Sequence, residues 1–237
     1  MGEYPMMRRT WHDSWRIWLA RMPVGALYQN SLRARFVEGV FWSLVGAVIS
    51  QGLRLVTSVV TARLLGQVRF GELGMINSTV VLLGVFAGLG LGLTANRYIA
   101  MLRTQGPERA GRVIGLCSLV AVGSGGAISL VLFIFAPLMA AKTINAPHLT
   151  TELRLASVLL LLNTLNGAQT GAMSGFEAFR TIAKINMFIG LLSFPVTIIM
   201  VWVWQLRGAV GAYIVTSGAM LLINHLALTK LCGRFGI

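Results

Sequence analysis

Residues 113–136, VIGLCSLVAVGSGGAISLVLFIFA, decide the fold class, because this stretch contains no charged side chain. A helix of about 20 apolar residues crosses the hydrocarbon core of a bilayer, so this stretch is long enough to span a membrane once. Further runs of similar character surround it. They are residues 39–62, 76–95, 155–173, 185–206 and 208–228. In lipid a single apolar segment satisfies its own backbone hydrogen bonds only as a helix, so the pattern predicts an all-α polytopic membrane bundle with about six transmembrane helices.

The composition excludes a water-soluble domain. Of 237 residues, 56% are hydrophobic and 11% are charged, and the mean hydropathy is +0.75. The net charge of +13 would suit nucleic-acid binding in a soluble protein. The positive charges, however, lie in short segments between the apolar runs, where they set the orientation of a membrane protein. We therefore expect no nucleic-acid partner.

The distribution of Lys and Arg predicts the orientation. With the N-terminus in the cytoplasm, fourteen of the twenty positive charges face the cytoplasm and five face the other side, while Arg54 lies within the first predicted span. This asymmetry follows the positive-inside rule. Both termini are therefore predicted to be cytoplasmic, with the protein in a plasma membrane.

The predicted organisation has three parts: residues 1–38 form a basic N-terminal segment at the membrane interface, residues 39–230 the helix bundle, and residues 231–237 a short cytoplasmic tail. Within the first segment, four large apolar side chains recur at spacings of four, three and four. They are Trp11, Trp15, Trp18 and Met22. This periodicity predicts an amphipathic helix lying in the membrane interface.

The titratable residues argue against an enzyme. None of the seven acidic residues lies in the interior of an apolar run, and the three histidines and two cysteines are scattered. General acid–base catalysis needs titratable groups positioned together, and metal sites need clustered ligands. The sequence also lacks a Gly-rich phosphate loop followed by Lys and Ser or Thr. We predict no catalytic residue, no metal site and no cofactor.

Arg54 is the most unusual residue of the predicted spans. A guanidinium near the middle of a bilayer costs about 2.5–3.5 kcal/mol on insertion scales, so such a charge usually faces protein or a water-filled cavity. Gln51 and Ser58 share its helical face and make a polar stripe. The stripe fits an anion-binding cavity, and it fits equally a structural arginine that bonds backbone carbonyls or extends toward the interface.

The fourth predicted span carries a second polar face. Asn163, Asn166 and either Gln169 or Thr170 recur at helical spacing in a run rich in leucine. Amide side chains can bind hydroxyl-rich ligands, but they also join neighbouring transmembrane helices. Both interpretations remain open from the sequence, with helix joining favoured.

Glycines repeat every fourth position in two predicted spans. They are Gly84, Gly88 and Gly92 in the second span and Gly167, Gly171 and Gly175 in the fourth. Such ladders let the backbones of neighbouring membrane helices approach closely.

Four local strings resemble those of a known family. They are TARLLGQVRFGELG (61–74), GLGLGLTANRYIA (88–100), GAMSGFEAFRTIAKIN (171–186) and QLRGAVGAYIV (205–215). Their order, and their positions relative to the predicted spans, resemble the loops and helix ends of polysaccharide and O-antigen flippases of the multidrug/oligosaccharidyl-lipid/polysaccharide exporter (MOP) superfamily. The resemblance runs from about residue 38 to the C-terminus.

The resemblance implies one lobe of a MOP-type transporter, in which two such lobes enclose a cationic cavity. The implied activity is movement of an undecaprenyl-pyrophosphate-linked oligosaccharide across a bacterial inner membrane, without bond breaking. The implied partners are that lipid-linked oligosaccharide, membrane lipids and a second lobe. The sequence resembles the N-terminal half of the family, so it is expected to be the half-length product of a truncated gene, a split protein completed by a second chain, or a half-transporter that forms a homodimer. The implied substrate-binding residues are Arg54 for the pyrophosphate and Gln51, Asn163, Asn166 and Gln169 for the sugar or headgroup.

Two other functions fit the span pattern. A membrane permease subunit of an ATP-driven exporter would need a separate ATPase. A polymerase or acyltransferase of envelope-sugar assembly would need the positioned carboxylates and histidines that this sequence lacks.

Overall fold

A computed structural model describes the backbone of residues 23–102 and 107–235 and the side chains of residues 48–102 and 108–233. Within these ranges the chain is helical apart from short turns and has no strand, which confirms the all-α prediction. The chain divides into two compact units, residues 1–42 and 43–237, and the description below concerns the second. The N-terminal amphipathic helix, predicted around Trp11 and Met22, lies outside the described residues.

Five α-helices and two short helical turns make up the described backbone. They are α1 (Pro23–Gly88), α2 (Leu91–Leu102), α3 (Pro107–Leu138), a π-helical turn (Met139–Thr143), a 3-10 turn (Pro147–Leu149), α4 (Thr150–Gly175) and α5 (Phe179–Phe235).

Three helical stretches of the described residues are long and apolar enough to cross a membrane. They are Val48–Gly88, Glu108–Thr143 and Phe179–Gly233. Large apolar side chains on these helices point outward, and Trp202 is 77% exposed. A surface of this kind needs lipid as its solvent, so the chain is an integral membrane protein. The count of six crossings stays a prediction.

The long helix α1 is interrupted at Gly66. As a straight rod, the 41 residues of Val48–Gly88 would measure about 60 Å, twice the thickness of the hydrocarbon core. Gly66 has φ 76° and ψ 171°, outside the helical region, and glycine reaches a positive φ without strain because it has no Cβ. The loop expected over residues 61–74 is therefore reduced to one non-helical residue between two helical segments.

The helix α5 folds back on itself at Gln205, where φ is 52° and ψ is −123°. Ile185 and Leu228 belong to one buried cluster, although a straight helix would separate them by about 65 Å. The reversal lies at the boundary between the fifth and the sixth predicted spans. Immediately after it, a Cβ at Gly208 would overlap the backbone of Met200, so only glycine fits this position.

A break that the sequence did not predict divides the second predicted span. The helix α1 ends at Gly88, and the next two residues, Leu89 and Gly90, have φ of 42° and 70° before α2 begins. A break removes a helical partner from the preceding carbonyls, which is costly in lipid. Here the Ser124 hydroxyl of α3 lies 2.7 Å from the carbonyl oxygen of Ala87 and 2.8 Å from that of Val120 on its own helix, so its one proton is shared between the two acceptors. The neighbouring helix thus compensates the interruption.

The helix α4 is the most enclosed element of the described bundle, because it packs against α2, α3 and α5. Two buried apolar clusters surround it. The larger joins α4 to α1, α3 and the middle of α5 around Leu132, Leu153 and Val210. The smaller joins α4 to α2, α3 and both ends of α5 around Ile99 and Met173. These contacts fix the orientation of α4 in the bundle.

The predicted close approach of the glycine ladders is confirmed for part of each ladder. A Cβ at Gly171 would overlap the backbone of Gly92, and a Cβ at Gly92 would lie 3.0 Å from the carbonyl oxygen of Gly167. The helices α2 and α4 therefore touch backbone to backbone. A Cβ added at Gly84 or Gly88 would meet no neighbouring atom within 4 Å, so the start of the first ladder does not pack in this way.

Candidate functional site

Arg54 and Gln51 lie on an exposed stripe of α1. Both side chains are exposed, and so is that of Ser58 one turn further along. Among the described residues Arg54 forms no ion pair and no hydrogen bond. Because an unpaired guanidinium is expensive in hydrocarbon, the Arg54 side chain must reach water or lipid headgroups, an anionic ligand or another polar protein surface.

The exposed stripe of α1 lies next to the face of this helix that contacts α5. Leu53 and Ser50 lie against Gly190 of α5, where a Cβ would be 3.5 Å from the Leu53 Cδ1 atom. The hydroxyl of Thr57 turns inward and donates to the Leu53 carbonyl, at 2.7 Å. Gln51 and Arg54 each follow one of these packed residues, so the stripe is rotated by about 100° from the contact with α5. This contact with α5 leaves Arg54 accessible.

Asn166 of α4, by contrast, is buried and forms hydrogen bonds through both its oxygen and its nitrogen. Its side chain is 6% exposed. Its Nδ2 donates to the carbonyl of Ser217 on α5, at 3.0 Å, and its Oδ1 accepts from Nδ2 of the buried Asn224, at 3.3 Å. These bonds join α4 to the second half of α5. The geometry therefore favours the helix-joining interpretation for Asn166.

Asn163 lies one turn away and is only partly engaged. Its Oδ1 accepts a hydrogen bond from the Ser217 hydroxyl at 3.2 Å, whereas the side chain as a whole is exposed. No described residue accepts a hydrogen bond from its Nδ2. Asn163 could therefore support helix packing through its oxygen and offer its nitrogen to a ligand hydroxyl.

Gln169 has a buried oxygen without a partner. Its Oε1 is inaccessible to solvent and accepts no hydrogen bond from any described residue. Such an atom normally requires a protein donor, an ordered water or a ligand. Among the three amides of α4, Gln169 has the strongest unmet need for a donor. No hydrogen bond among the described residues links these amides to Arg54 or Gln51.

Two carboxylate contacts between distant parts of the chain were not predicted from the sequence. The imidazole of His148 lies 2.6 Å from a carboxylate oxygen of Glu72, and Nε of Arg207 donates to Glu152 at 3.0 Å. All four residues flank predicted spans, so sequence alone assigned them to connections. The predicted topology places all four residues on the same side of the membrane, opposite the termini. It did not specify which of them pair.

A cavity of about 570 Å3 lies at the interruption of α1, beside the first of these pairs. Its lining is Leu65, Gly66, Gln67, Val68, Arg69, Glu72 and His148. None of the substrate-binding residues predicted from the sequence lines this cavity. This cavity and the predicted site therefore occupy different places.

Taken together, apolar outward faces and buried inter-helix amides define an integral membrane protein of the helical-bundle class. Residues 36–236 match the profile of a family described as polysaccharide biosynthesis protein. The match covers most of the chain, and the chain belongs to this family, which comprises the polysaccharide and O-antigen flippases of the MOP superfamily.

The family match confirms the resemblance seen in the four local strings. Its members are transporters rather than enzymes, and membership indicates a role in polysaccharide export. Comparisons with curated proteins and with solved structures gave no significant match.

Proposed function

We propose that this protein moves an undecaprenyl-pyrophosphate-linked oligosaccharide from the inner to the outer leaflet of a bacterial inner membrane, for polysaccharide or O-antigen export. Family membership supports the class of cargo. The observation that carries the proposal within the chain is Arg54, an accessible cation in a predicted span without a carboxylate partner among the described residues.

The chemistry of the cargo explains why these side chains are needed. A pyrophosphate carries negative charge that the hydrocarbon core rejects, and a guanidinium binds phosphate oxygens through several N–H donors. Sugar hydroxyls need hydrogen-bonding partners during passage, which Gln51 and the Asn163 nitrogen could supply. The Gln169 oxygen is inaccessible in this structure and would serve only in a conformation that exposes it. Asn166 would act indirectly, by holding α4 against α5. Transport requires binding and conformational change but no bond breaking.

A complete cavity in this proposal needs two lobes. The exposed stripe of α1 would form one wall, and a second lobe would form the other. Alternating access would then follow from rocking of one lobe against the other. Both termini of this chain would face the cytoplasm.

The test is complementation of a flippase-deficient bacterial strain, scored as surface polysaccharide, with the chain alone and with a candidate second lobe. We expect rescue by the wild-type chain in at least one arrangement. Arg54→Ala should lose roughly tenfold or more of the surface polysaccharide, because one charge-assisted contact with the pyrophosphate disappears. Arg54→Lys should retain part of the activity.

The matched control is Arg63→Ala, which removes an exposed arginine of the same helix outside the predicted spans. It should leave the surface polysaccharide unchanged at equal membrane abundance. Full activity of Arg54→Ala would contradict a pyrophosphate contact at Arg54. Equal losses in both variants would point to a general effect of charge on insertion.

A further inference from the structure

A second cationic feature lies on the outside of the bundle, far along the chain from Arg54. A groove of about 400 Å3 separates the beginning and the end of α5, which the reversal at Gln205 brings side by side. We call it the lysine groove. Its lining is Thr181, Lys184, Ile185, Ile223, Leu226, Ala227, Lys230 and Leu231.

The charge of the lysine groove is not balanced by the protein. Lys184 and Lys230 are both exposed, and neither forms an ion pair in the part of the chain whose side chains are described. The groove lining contains no carboxylate from the described residues. Two ammonium groups in one groove repel each other, and an anion between them would remove that repulsion.

The remaining lining is apolar. Ile185, Ile223 and Leu226 contribute hydrocarbon to the groove, and Leu226 is mostly exposed. Lys184 immediately precedes one predicted span and Lys230 follows another, so the predicted topology places both ammonium groups at the level of lipid headgroups on the cytoplasmic side. The apolar side chains extend from that level toward the hydrocarbon core. The groove therefore has the polarity profile of a phospholipid, with charge at one end and hydrocarbon at the other.

We infer that the lysine groove binds an anionic glycerophospholipid of the cytoplasmic leaflet, with the headgroup phosphate between Lys184 and Lys230 and the upper part of an acyl chain along Ile223 and Leu226. Basic grooves between membrane helices recognise anionic headgroups in this manner. A sugar-bearing pyrophosphate lipid is a poorer fit, because Thr181 is the single hydroxyl side chain that the described residues contribute to the lining. This inference does not depend on the proposed transport activity.

The experiment is native mass spectrometry of the purified, delipidated full chain, titrated with phosphatidylglycerol or with zwitterionic phosphatidylcholine. Phosphatidylglycerol should bind at least tenfold more tightly than phosphatidylcholine. The double variant Lys184→Gln/Lys230→Gln should weaken phosphatidylglycerol binding by roughly tenfold, because two phosphate-facing charges are lost. Lys184→Arg/Lys230→Arg should bind like the wild type, which shows that charge rather than folding is measured.

The matched control removes two exposed positive charges elsewhere, Arg63→Gln/Lys142→Gln, and should bind phosphatidylglycerol like the wild type. Equal affinity for the two phospholipids, or unchanged binding by the Lys184→Gln/Lys230→Gln variant, would overturn the inference. So would displacement of most bound phosphatidylglycerol by an equimolar amount of undecaprenyl pyrophosphate. That last result would assign the groove to the carrier lipid.

Discussion

The polar face of α4 and the polar face of α1 look alike in the sequence and differ in the structure. On α4, Asn166 is buried and bonds two residues of α5. On α1, Arg54 and Gln51 are exposed, one position away from side chains that pack against α5. A polar residue inside a membrane helix thus serves packing where its helix is enclosed. It is free for a ligand where one side of its helix has no neighbour among the described residues.

The comparison predicts a gradient of effects on stability. Substitutions on the enclosed helix α4 should destabilise the bundle, and substitutions on the exposed stripe of α1 should leave its stability unchanged. Stability can be followed for all variants by SDS titration in mixed micelles, with far-ultraviolet circular dichroism reporting the folded fraction.

The largest effect is expected at the backbone contact between α2 and α4. Gly171→Leu places a side chain where the backbone of Gly92 already lies, so the two helices must separate. We expect a loss of about 3 kcal/mol, at the upper end of typical overpacking effects. The matched control is Gly84→Leu, because Gly84 has open space around it and should change little. Similar losses in both variants would show that helix separation is not the cause.

The next effect concerns the carboxylate of Glu152 at the start of α4. The Glu152 side chain is 7% exposed, and its partner Arg207 is 64% exposed. Arg207→Ala leaves the carboxylate buried without its cation, and one of its oxygens, Oε2, already lacks a hydrogen-bond partner among the described residues. We expect a loss of about 2 kcal/mol, below the value for a fully buried pair because solvent screens the arginine.

A double-mutant cycle with Glu152→Gln separates this pair from other contacts of Arg207. Once the carboxylate is neutral, the further change Arg207→Ala should cost less than about 0.5 kcal/mol. If the arginine substitution costs the same in both backgrounds, the ion pair does not stabilise the bundle.

A smaller loss is expected for the amide that joins α4 to α5. Asn166→Leu removes both inter-helix bonds and leaves Nδ2 of the buried Asn224 without its acceptor. Hydrogen bonds between membrane helices contribute modestly, so we expect a loss of about 1 kcal/mol. The control is Asn163→Leu at the exposed neighbouring position, where the loss should be about half as large or less. The reverse order would assign the joining role to Asn163.

The smallest effect on stability is expected for Arg54→Ala, within about 0.5 kcal/mol of the wild type, because the side chain is exposed and has no partner among the described residues. The same substitution has the largest expected effect on transport, as proposed above. This opposition between stability and activity is what a ligand-binding residue should show. A large loss of stability would instead mean that Arg54 supports the fold.

Much of the fold could be predicted from the sequence, because the length and spacing of the apolar runs indicate which parts of the chain are surrounded by lipid. The all-α class follows from the hydrogen-bonding requirement of the backbone in lipid, and the turn near residue 207 was anticipated from a short interruption in the apolar pattern. The break at Leu89 and Gly90 was missed. Nothing in the apolar pattern signals it, because the compensating hydroxyl comes from Ser124 on a different helix.

The candidate site could be predicted as a set of residues but not as an arrangement. Sequence identified Arg54 and the amides of α4 as unusual in lipid, because polar atoms there need partners. It did not reveal that Asn166 is bonded while the Gln169 oxygen has no partner among the described residues, since partners such as Asn224 lie more than fifty positions away. Nor did it place Lys184 and Lys230 in one groove.

The sequence by itself determined that this protein is a helical integral membrane protein, because the composition and the length of the apolar runs carry that information. Its local strings indicated the family, that of the polysaccharide flippases. Only the tertiary structure decided which polar residues join helices and which remain available. The physical reason is that a polar side chain forms a hydrogen bond only if a suitable donor or acceptor lies opposite it. In this bundle, the residues that face one another come from distant parts of the chain, through the reversal of α5 at Gln205 and the close contact of α2 with α4.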